Sequence, residues 1–184
     1  MGKKIIILNG SPRPKGNTVG LIKAFTEGTE KAGHTVTTFL VDRMHIKSCK
    51  GCYGGGKNPD SPCVQKDDME KIYPVFEQAD IVVFATPMYY WGMTGQLKTV
   101  LDRLFAVSEK YPDFMAPKKD SLMLMAAGGE GQSNNQPVED YFNALLERLE
   151  WNNKGIIIAE GANDPGDIVG HPALDEARRM GESI

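Results

Sequence analysis

The sequence predicts an open α/β fold: a five-stranded parallel sheet in the order 2-1-3-4-5, in a three-layer sandwich with helices on both faces. Three observations predict it. Short apolar runs alternate with helix-like periodic segments from one end of the chain to the other. Several of those runs, such as Ile5-Ile6-Ile7-Leu8, lack polar alternation, as strands buried on both faces do. A length of 184 residues suits one full core, so residues 1–184 are expected to form a single domain.

The elements follow in order. Lys4–Leu8 is the first strand. Thr18–Ala32 is the first helix, with Leu21, Ile22 and Phe25 on one face and Asn17 or Thr18 able to cap it. Gly33 ends it as a glycine just past the last turn. His34–Val41, with Val36, Phe39 and Val41, is a second strand nearer an edge. Asp67 to Gln78 reads as a helix, with Asp67 and Glu70 spaced as a capping box. Asp80–Ala85 is a third, buried strand. Thr94–Val107 is a helix carrying Leu97, Val100, Leu101, Leu104 and Phe105 on one face. Ser121–Ala127 is a fourth strand, Val138–Trp151 a fourth helix and Lys154–Ala159 a fifth strand. A last helix starts near Pro172. In this strand order, ligands sit outside the carboxyl ends of the strands, where strands 1 and 3 meet. The loops after strands 1, 3 and 4 should therefore carry the binding chemistry.

Composition narrows the function classes. Hydrophobic residues make up 41% and charged residues 24%, an ordinary globular balance. A net charge of −3 gives no electrostatic case for nucleic acid or an anionic membrane. No apolar run approaches the roughly 20 residues that span a bilayer. The first strand starts within a few residues of Met1, which leaves no room for a signal peptide. Three cysteines, all within residues 49–63, argue against a secreted disulfide framework, and a cytoplasmic location is expected.

The segment Leu8 to Thr18 reads L-N-G-S-P-R-P-K-G-N-T and joins a strand to a helix N-terminus. Free backbone N–H groups and the positive helix end favour an anion there. Ser11, Asn17 and Thr18 add donors, and Arg13 adds charge. Neither the G-x-x-x-x-G-K-[ST] loop nor the G-x-G-x-x-G loop is present, so the spacing points to a terminal phosphate monoester. The loop after strand 3, Thr86 to Gly95, reads T-P-M-Y-Y-W-G-M-T-G. Pro87 stiffens it and Gly92 and Gly95 permit close approach. Three successive aromatics, Tyr89, Tyr90 and Trp91, suit a flat ring or else a subunit interface. The loop after strand 4 carries Gly128, Gly129 and Gly131, whose N–H groups are open to a ligand or simply form a turn. Taken together, the three loops describe a ligand with a monophosphate at one end and a polar planar ring at the other, which fits FMN.

On these residues the chain resembles the NADPH-dependent FMN reductase branch of the flavodoxin-like superfamily. The matching pieces are G-S-P-R-P-K-G-N-T (10–18), T-P-M-Y-Y-W-G (86–92) and G-Q-L-K-T-V-L-D-R (95–103), and the element order matches along nearly the whole chain. The resemblance implies that Ser11, Arg13, Asn17 and Thr18 hold the FMN phosphate. It implies that Pro87, Met88, Tyr89, Tyr90, Trp91 and Gly92, with Gly128 and Gly129, cradle the isoalloxazine. It implies NAD(P)H as co-substrate and a small-molecule electron acceptor. Hydride would reach flavin N5 and then leave as electrons to a quinone, azo or nitro compound, free flavin or O₂. A homodimer or dimer of dimers is expected from the family. Lys98, Asp102 and Arg103 lie in the region that is near the dimer interface in similar proteins; a solvated helix face is the other reading. No side-chain acid or base is required, so no catalytic residue is assigned. His34, His45 and His171 have no nucleophile or acid beside them in sequence and are read as structural.

Residues Ser48–Val64 also resemble the cluster segment of the iron–sulfur flavoproteins, close relatives in that superfamily. Cys49 and Cys52 form a C-x-x-C and Cys63 follows, but Gly55 stands where the compact motif has its third cysteine. A cluster or structural zinc wants four ligands, so no metal ligand is assigned. A redox-active Cys49/Cys52 pair and a glycine-rich loop keeping part of a relative's motif are the readings that remain. Following strand 2, the segment is expected to border the flavin edge. A flavodoxin-type electron carrier, or an iron–sulfur flavoprotein without small-molecule turnover, is the alternative function. Such carriers tend to be strongly acidic for steering, which −3 is not.

Overall fold

The computed structural model describes residues 2–58 and 62–184, so residues 59–61 of the cysteine-bearing segment lie outside the described residues. The elements are β1 (Lys4–Asn9), α1 (Asn17–Lys31), β2 (Thr35–Leu40), α2 (Met69–Gln78), β3 (Ile81–Pro87), α3 (Gly95–Ser108), β4 (Asp120–Ala126), α4 (Gln132–Leu149), β5 (Asn152–Ala159) and α5 (Pro172–Ser183). The five strands form a parallel sheet in the order β2-β1-β3-β4-β5. The order arises because β1 pairs on both sides, with Ile6 opposite Thr37 of β2 and Val82 of β3.

The two-residue period of the strands feeds two cores. Ile6 and Leu8 of β1, with Val82, Phe84, Met123 and Met125, face α2, α3 and α4 through Ile72, Phe76, Leu97, Val100, Val138 and Phe142. Ile5 and Ile7, with Val83, Ala85, Leu122 and Leu124, face α1 and α5 through Leu21, Phe25, Ala173 and Ala177. Both faces of β1, β3 and β4 are covered, which is why these strands read as unbroken apolar runs. The edge strand β2 alternates toward solvent instead. No helix among the described residues is long and apolar enough to cross a membrane.

Three local expectations are corrected. First, α4 begins at Gln132, six residues before Val138, and carries Pro137 inside it. The polar run Gln132–Gln136 has turn-like composition, but Gly131 O accepts from Asn134 N and Asn135 N, and the Asn135 carboxamide bonds Glu160. Second, α1 is capped by Gly16 without a side-chain bond. Third, Asp67 and Glu70 do not build the reciprocal box. Asp67 Oδ1 accepts from Met69 N, while its carboxylate pairs with Arg103 and Glu70 pairs with Lys66.

Candidate functional site

At the carboxyl ends of the strands the chain forms a cleft of about 110 Å³. The β1–α1 loop supplies its floor. Asn9 Oδ1 accepts from Ser11 N at 2.9 Å and Ser11 Oγ accepts from Arg13 N at 3.3 Å, which folds the loop over itself. Gly16 permits that fold, because a Cβ there would stand 3.0 Å from the Arg13 Cβ. With Gly16 as its N-cap and no side-chain cap bond, α1 starts at the cleft, which Ser11, Arg13, Gly16, Asn17 and Thr18 line.

The β3–α3 loop supplies the facing wall with Pro87, Met88 and Tyr89. Met88 N donates to Ala126 O at 2.8 Å, in continuation of the β3–β4 ladder. Thr94 joins the two loops: its Oγ1 donates to Gly10 O at 2.9 Å and accepts from Leu97 N, capping α3. Between Tyr89 and Gly92 two main-chain bonds close a tight hairpin. Its central residues, Tyr90 (φ 48°) and Trp91 (φ 57°), both hold left-handed backbone. Bulky side chains rarely adopt it, and two in succession make a type I′ turn without its usual Asn or Gly. The turn lifts Tyr90 out to 97% exposure and leaves Trp91 and Tyr89 about half exposed.

Eight of the residues expected to bind FMN meet at this cleft: Ser11, Arg13, Asn17, Thr18, Pro87, Met88, Tyr89 and Gly128. Tyr90, Trp91, Gly92 and Gly129 stand next to it on the same loops but do not line it. Asn17 contributes differently from expectation. Its Nδ2 donates to Ala162 O at 3.0 Å and Asp164 O at 2.9 Å, and its Oδ1 accepts from Gly166 N at 3.2 Å. The carboxamide is thus tied to the β5–α5 loop. That bridge brings in two residues the sequence reading missed, Ala162 and Asn163. The G-A-N-D-P-G turn that carries them, 161–166, was visible, but nothing local tied it to the first loop. Gly128 has no room for a Cβ, which would stand 2.9 Å from Asn163 Oδ1, so β4 and β5 loops close on each other there.

The donor set fits a phosphate: an uncapped helix N-terminus, a serine, a buried threonine and an arginine converge on a volume the size of one such group.

None of the described residues of the cysteine-bearing segment lines this cleft. The segment runs along the C-terminal half of α3, where Gly55 N donates to Glu109 Oε2 at 3.1 Å. Cys49, Cys52 and Cys63 line a separate groove that shares no residue with the cleft, and all three are free thiols, the first two exposed. No three His, Cys, Asp or Glu side chains among the described residues come together as a metal site. Of the charged trio on α3, Lys98 and Asp102 form an exposed ion pair at 2.6 Å. Arg103 is only 1% exposed and faces inward. Its Nη1 donates to Lys47 O at 2.7 Å and Asp67 Oδ2 at 2.6 Å, and its Nη2 to Asp67 Oδ1 at 3.1 Å. Burial works against the Asp67 charge, but Arg103 and the N–H groups of Lys47 and Met69 outweigh it and hold the carboxyl below its ordinary range. Burial pushes the phenol of Tyr73, which donates to Arg103 O, well up. His34 bridges Lys3 N and Ile184 O, and His171 caps α5, so both are structural.

The fold and cleft define a flavodoxin-like protein with a cleft at its topological switch point. The sequence model of the NADPH-dependent FMN reductase family matches residues 3–159, and the chain belongs to that family. As a member it is an NAD(P)H-dependent FMN oxidoreductase. Among similar proteins, an iron–sulfur flavoprotein of Archaeoglobus fulgidus is 29% identical over 181 residues, 98% of this chain and 78% of that one. A putative NAD(P)H-dependent FMN-containing oxidoreductase of Bacillus subtilis is 28% identical, covering 96% of both chains. An NAD(P)H:quinone oxidoreductase from Methanothermobacter marburgensis superposes with a TM-score of 0.78 over all of this chain and 96% of that one, at 21% identity, a likeness of fold.

Proposed function

We propose that the protein passes reducing equivalents from NAD(P)H through FMN to a small acceptor of the quinone, azo, nitro or free-flavin type. FMN, when bound, would supply the redox chemistry, taking up and passing on reducing equivalents. This chain's residues bind and orient it. Ser11, Arg13, Thr18 and the N–H of Asn17 take the phosphate. Pro87 to Gly92 would flank the ring, and the N–H groups of Gly128 and Gly129 would serve its polar edge and stabilise the reduced form. The observation that carries this reading is the uncapped N-terminus of α1, which opens into a phosphate-sized cleft walled by the Pro87–Tyr89 backbone.

No titratable side chain is needed for proton transfer. The exposed Tyr90 and Trp91 support a homodimer or dimer of dimers in which a partner completes the open side of the ring site. Residues 1–184 are taken as one FMN-binding domain. Three free thiols support a cytoplasmic setting.

The test is an absorbance spectrum of the purified protein with FMN added, followed by NADPH. Flavin bands that persist through desalting and bleach with NADPH, then recover on adding a quinone, are expected. No retained flavin would sink the proposal. Retention without bleaching would favour an electron carrier. The iron–sulfur alternative rests on the names of the relatives; iron and sulfide in stoichiometric amounts would revive it.

A further inference from the structure

Glu160 is the first residue after β5, and its side chain reaches across to the start of α4. Gly131 N donates to Glu160 Oε2 at 3.2 Å, and the Asn135 carboxamide donates to Glu160 Oε1. Gly131 is the N-cap of α4 and can offer no side-chain cap of its own. A carboxylate from a different strand end takes that place, at the positive end of the helix. The start of α1 has no such partner: its N-cap is Gly16 and its first turn holds no acid. Of the two helices, α1 keeps its positive end open for an anion, while that of α4 is already opposed.

From Glu160 the bonds continue toward the cleft. Asn135 Oδ1 accepts from Asn134 Nδ2 at 3.1 Å, and the same Nδ2 donates to Met88 Sδ at 3.6 Å. The Asn134 carboxamide packs against Gly129, where a Cβ would stand 2.5 Å from its Oδ1. Glu160 is held from its own side as well. Its carbonyl accepts from His171 Nε2 at 3.0 Å, because His171 Nδ1 is taken by Ala173 N. Asn135, in the middle of the chain of bonds, is 5% exposed. Three strand-end loops are thereby tied together, and Met88, Gly128 and Ala162, one from each, line the cleft.

We propose that Glu160 is a positioning residue that sets the redox balance of the flavin site: it fixes the Gly128–Gly131 turn, and its charge there weakens the binding of reduced FMN relative to oxidised FMN. The proposal rests on FMN occupying the cleft, as proposed above. Two-electron reduction adds negative charge to the polar edge of a flavin ring. The N–H groups of Gly128 and Gly129 would favour that form. A carboxylate bonded three residues from Gly128 opposes it by like-charge repulsion, which partial burial leaves incompletely screened. A neutral amide at position 160 would keep most of the positioning and lose the opposition.

The test is a pair of anaerobic titrations of the flavin-free protein, one with oxidised FMN and one with FMN reduced by dithionite. The quantity read is the ratio of the two dissociation constants, reduced over oxidised. Glu160→Gln should lower it about fivefold, a rise of about 20 mV in the two-electron potential of the bound flavin. Asn135→Ala cuts the chain of bonds but keeps the charge, so it should weaken both forms alike, about threefold, and leave the ratio within about twofold of wild type. Glu130→Gln removes an exposed charge from the same turn, which solvent screens, and should move the ratio less than about twofold. In the flavin-free protein, the Gly131 amide resonance should move upfield in Glu160→Ala, which reads the tie without any flavin. An unchanged ratio in Glu160→Gln, or an equal change in Glu130→Gln, overturns the proposal while FMN binding stands. A wild-type protein that retains neither form of FMN overturns the reading of the cleft, and this proposal with it.

Discussion

Arg103 shows how much one side chain can organise. It joins α3 to both feet of the cysteine-bearing segment through Asp67 and Lys47. Arg103→Met leaves the Asp67 carboxylate buried without its partner, and should cost about 3–5 kcal/mol in urea unfolding. Adding Asp67→Asn to that variant should restore part of the loss, since no unpaired charge remains. The pH dependence has a definite sign. The Asp67 carboxyl sits below its ordinary value when folded, so its contribution is complete above the unfolded value of about 3.9 and fades as pH falls through the lower folded one. The stability gap between wild type and Asp67→Asn should therefore shrink between about pH 4 and pH 2; a gap that is constant over that range would refute the pairing as the cause. At the other site, Arg13 is exposed, and Arg13→Ala removes one charge-assisted contact to phosphate. FMN affinity should drop about tenfold in a fluorescence titration; an unchanged affinity would remove Arg13 from the phosphate site.

Elements carry strain and close contact that no single side chain displays. The Tyr89–Gly92 hairpin holds Tyr90 and Trp91 in left-handed backbone, at roughly 1–2 kcal/mol per residue. Replacing them as Tyr90→Asn with Trp91→Gly supplies the usual type I′ pair. Thermal unfolding should show a gain of about 1–2 kcal/mol, with weaker flavin binding or slower turnover, if the strain serves to present the aromatics. A loss of stability would mean that the rings are held by packing rather than against backbone preference. The crossing of α1 and α5 depends on two glycines. A Cβ on Gly181 would stand 2.4 Å from Phe25 O, and one on Gly28 2.1 Å from Arg178 O. Both obstacles are backbone and cannot rotate aside. Gly181→Ala should cost about 1–3 kcal/mol, read as a lowered denaturation midpoint.

For the whole molecule, ligand binding and folding are linked, because the cleft exists only when four strand-end loops are in place. FMN at a hundred times its dissociation constant should stabilise the fold by about 2.7 kcal/mol, which raises the melting temperature by roughly 5–10 °C at this size. Adding riboflavin, which lacks the phosphate, should give far less if the α1 N-terminus is the main anchor. How much of this was legible in the sequence depended on range. The apolar runs Ile5–Leu8 and Ile81–Ala85 determined central strands, and their alternation with helices determined the sheet order. The loop 8–18 and the hairpin 86–92 were readable as binding segments because their chemistry is local: glycines, hydroxyls and aromatics next to strand ends. Other features were decided by tertiary structure alone. The Asn17 carboxamide bridges to the β5–α5 loop because that loop offers two carbonyls. Arg103 turned inward because Asp67, 36 residues earlier in the chain, met it there. The cysteines line a groove apart from the cleft because the described part of their segment is tied along α3. Periodicity and local propensity act between near neighbours, so the sequence by itself determined the elements, their order and the strand–loop–helix joint at residues 8–18. Hydrogen bonds and ion pairs across dozens of residues depend on which surfaces the sheet brings together, and only the folded chain decided them.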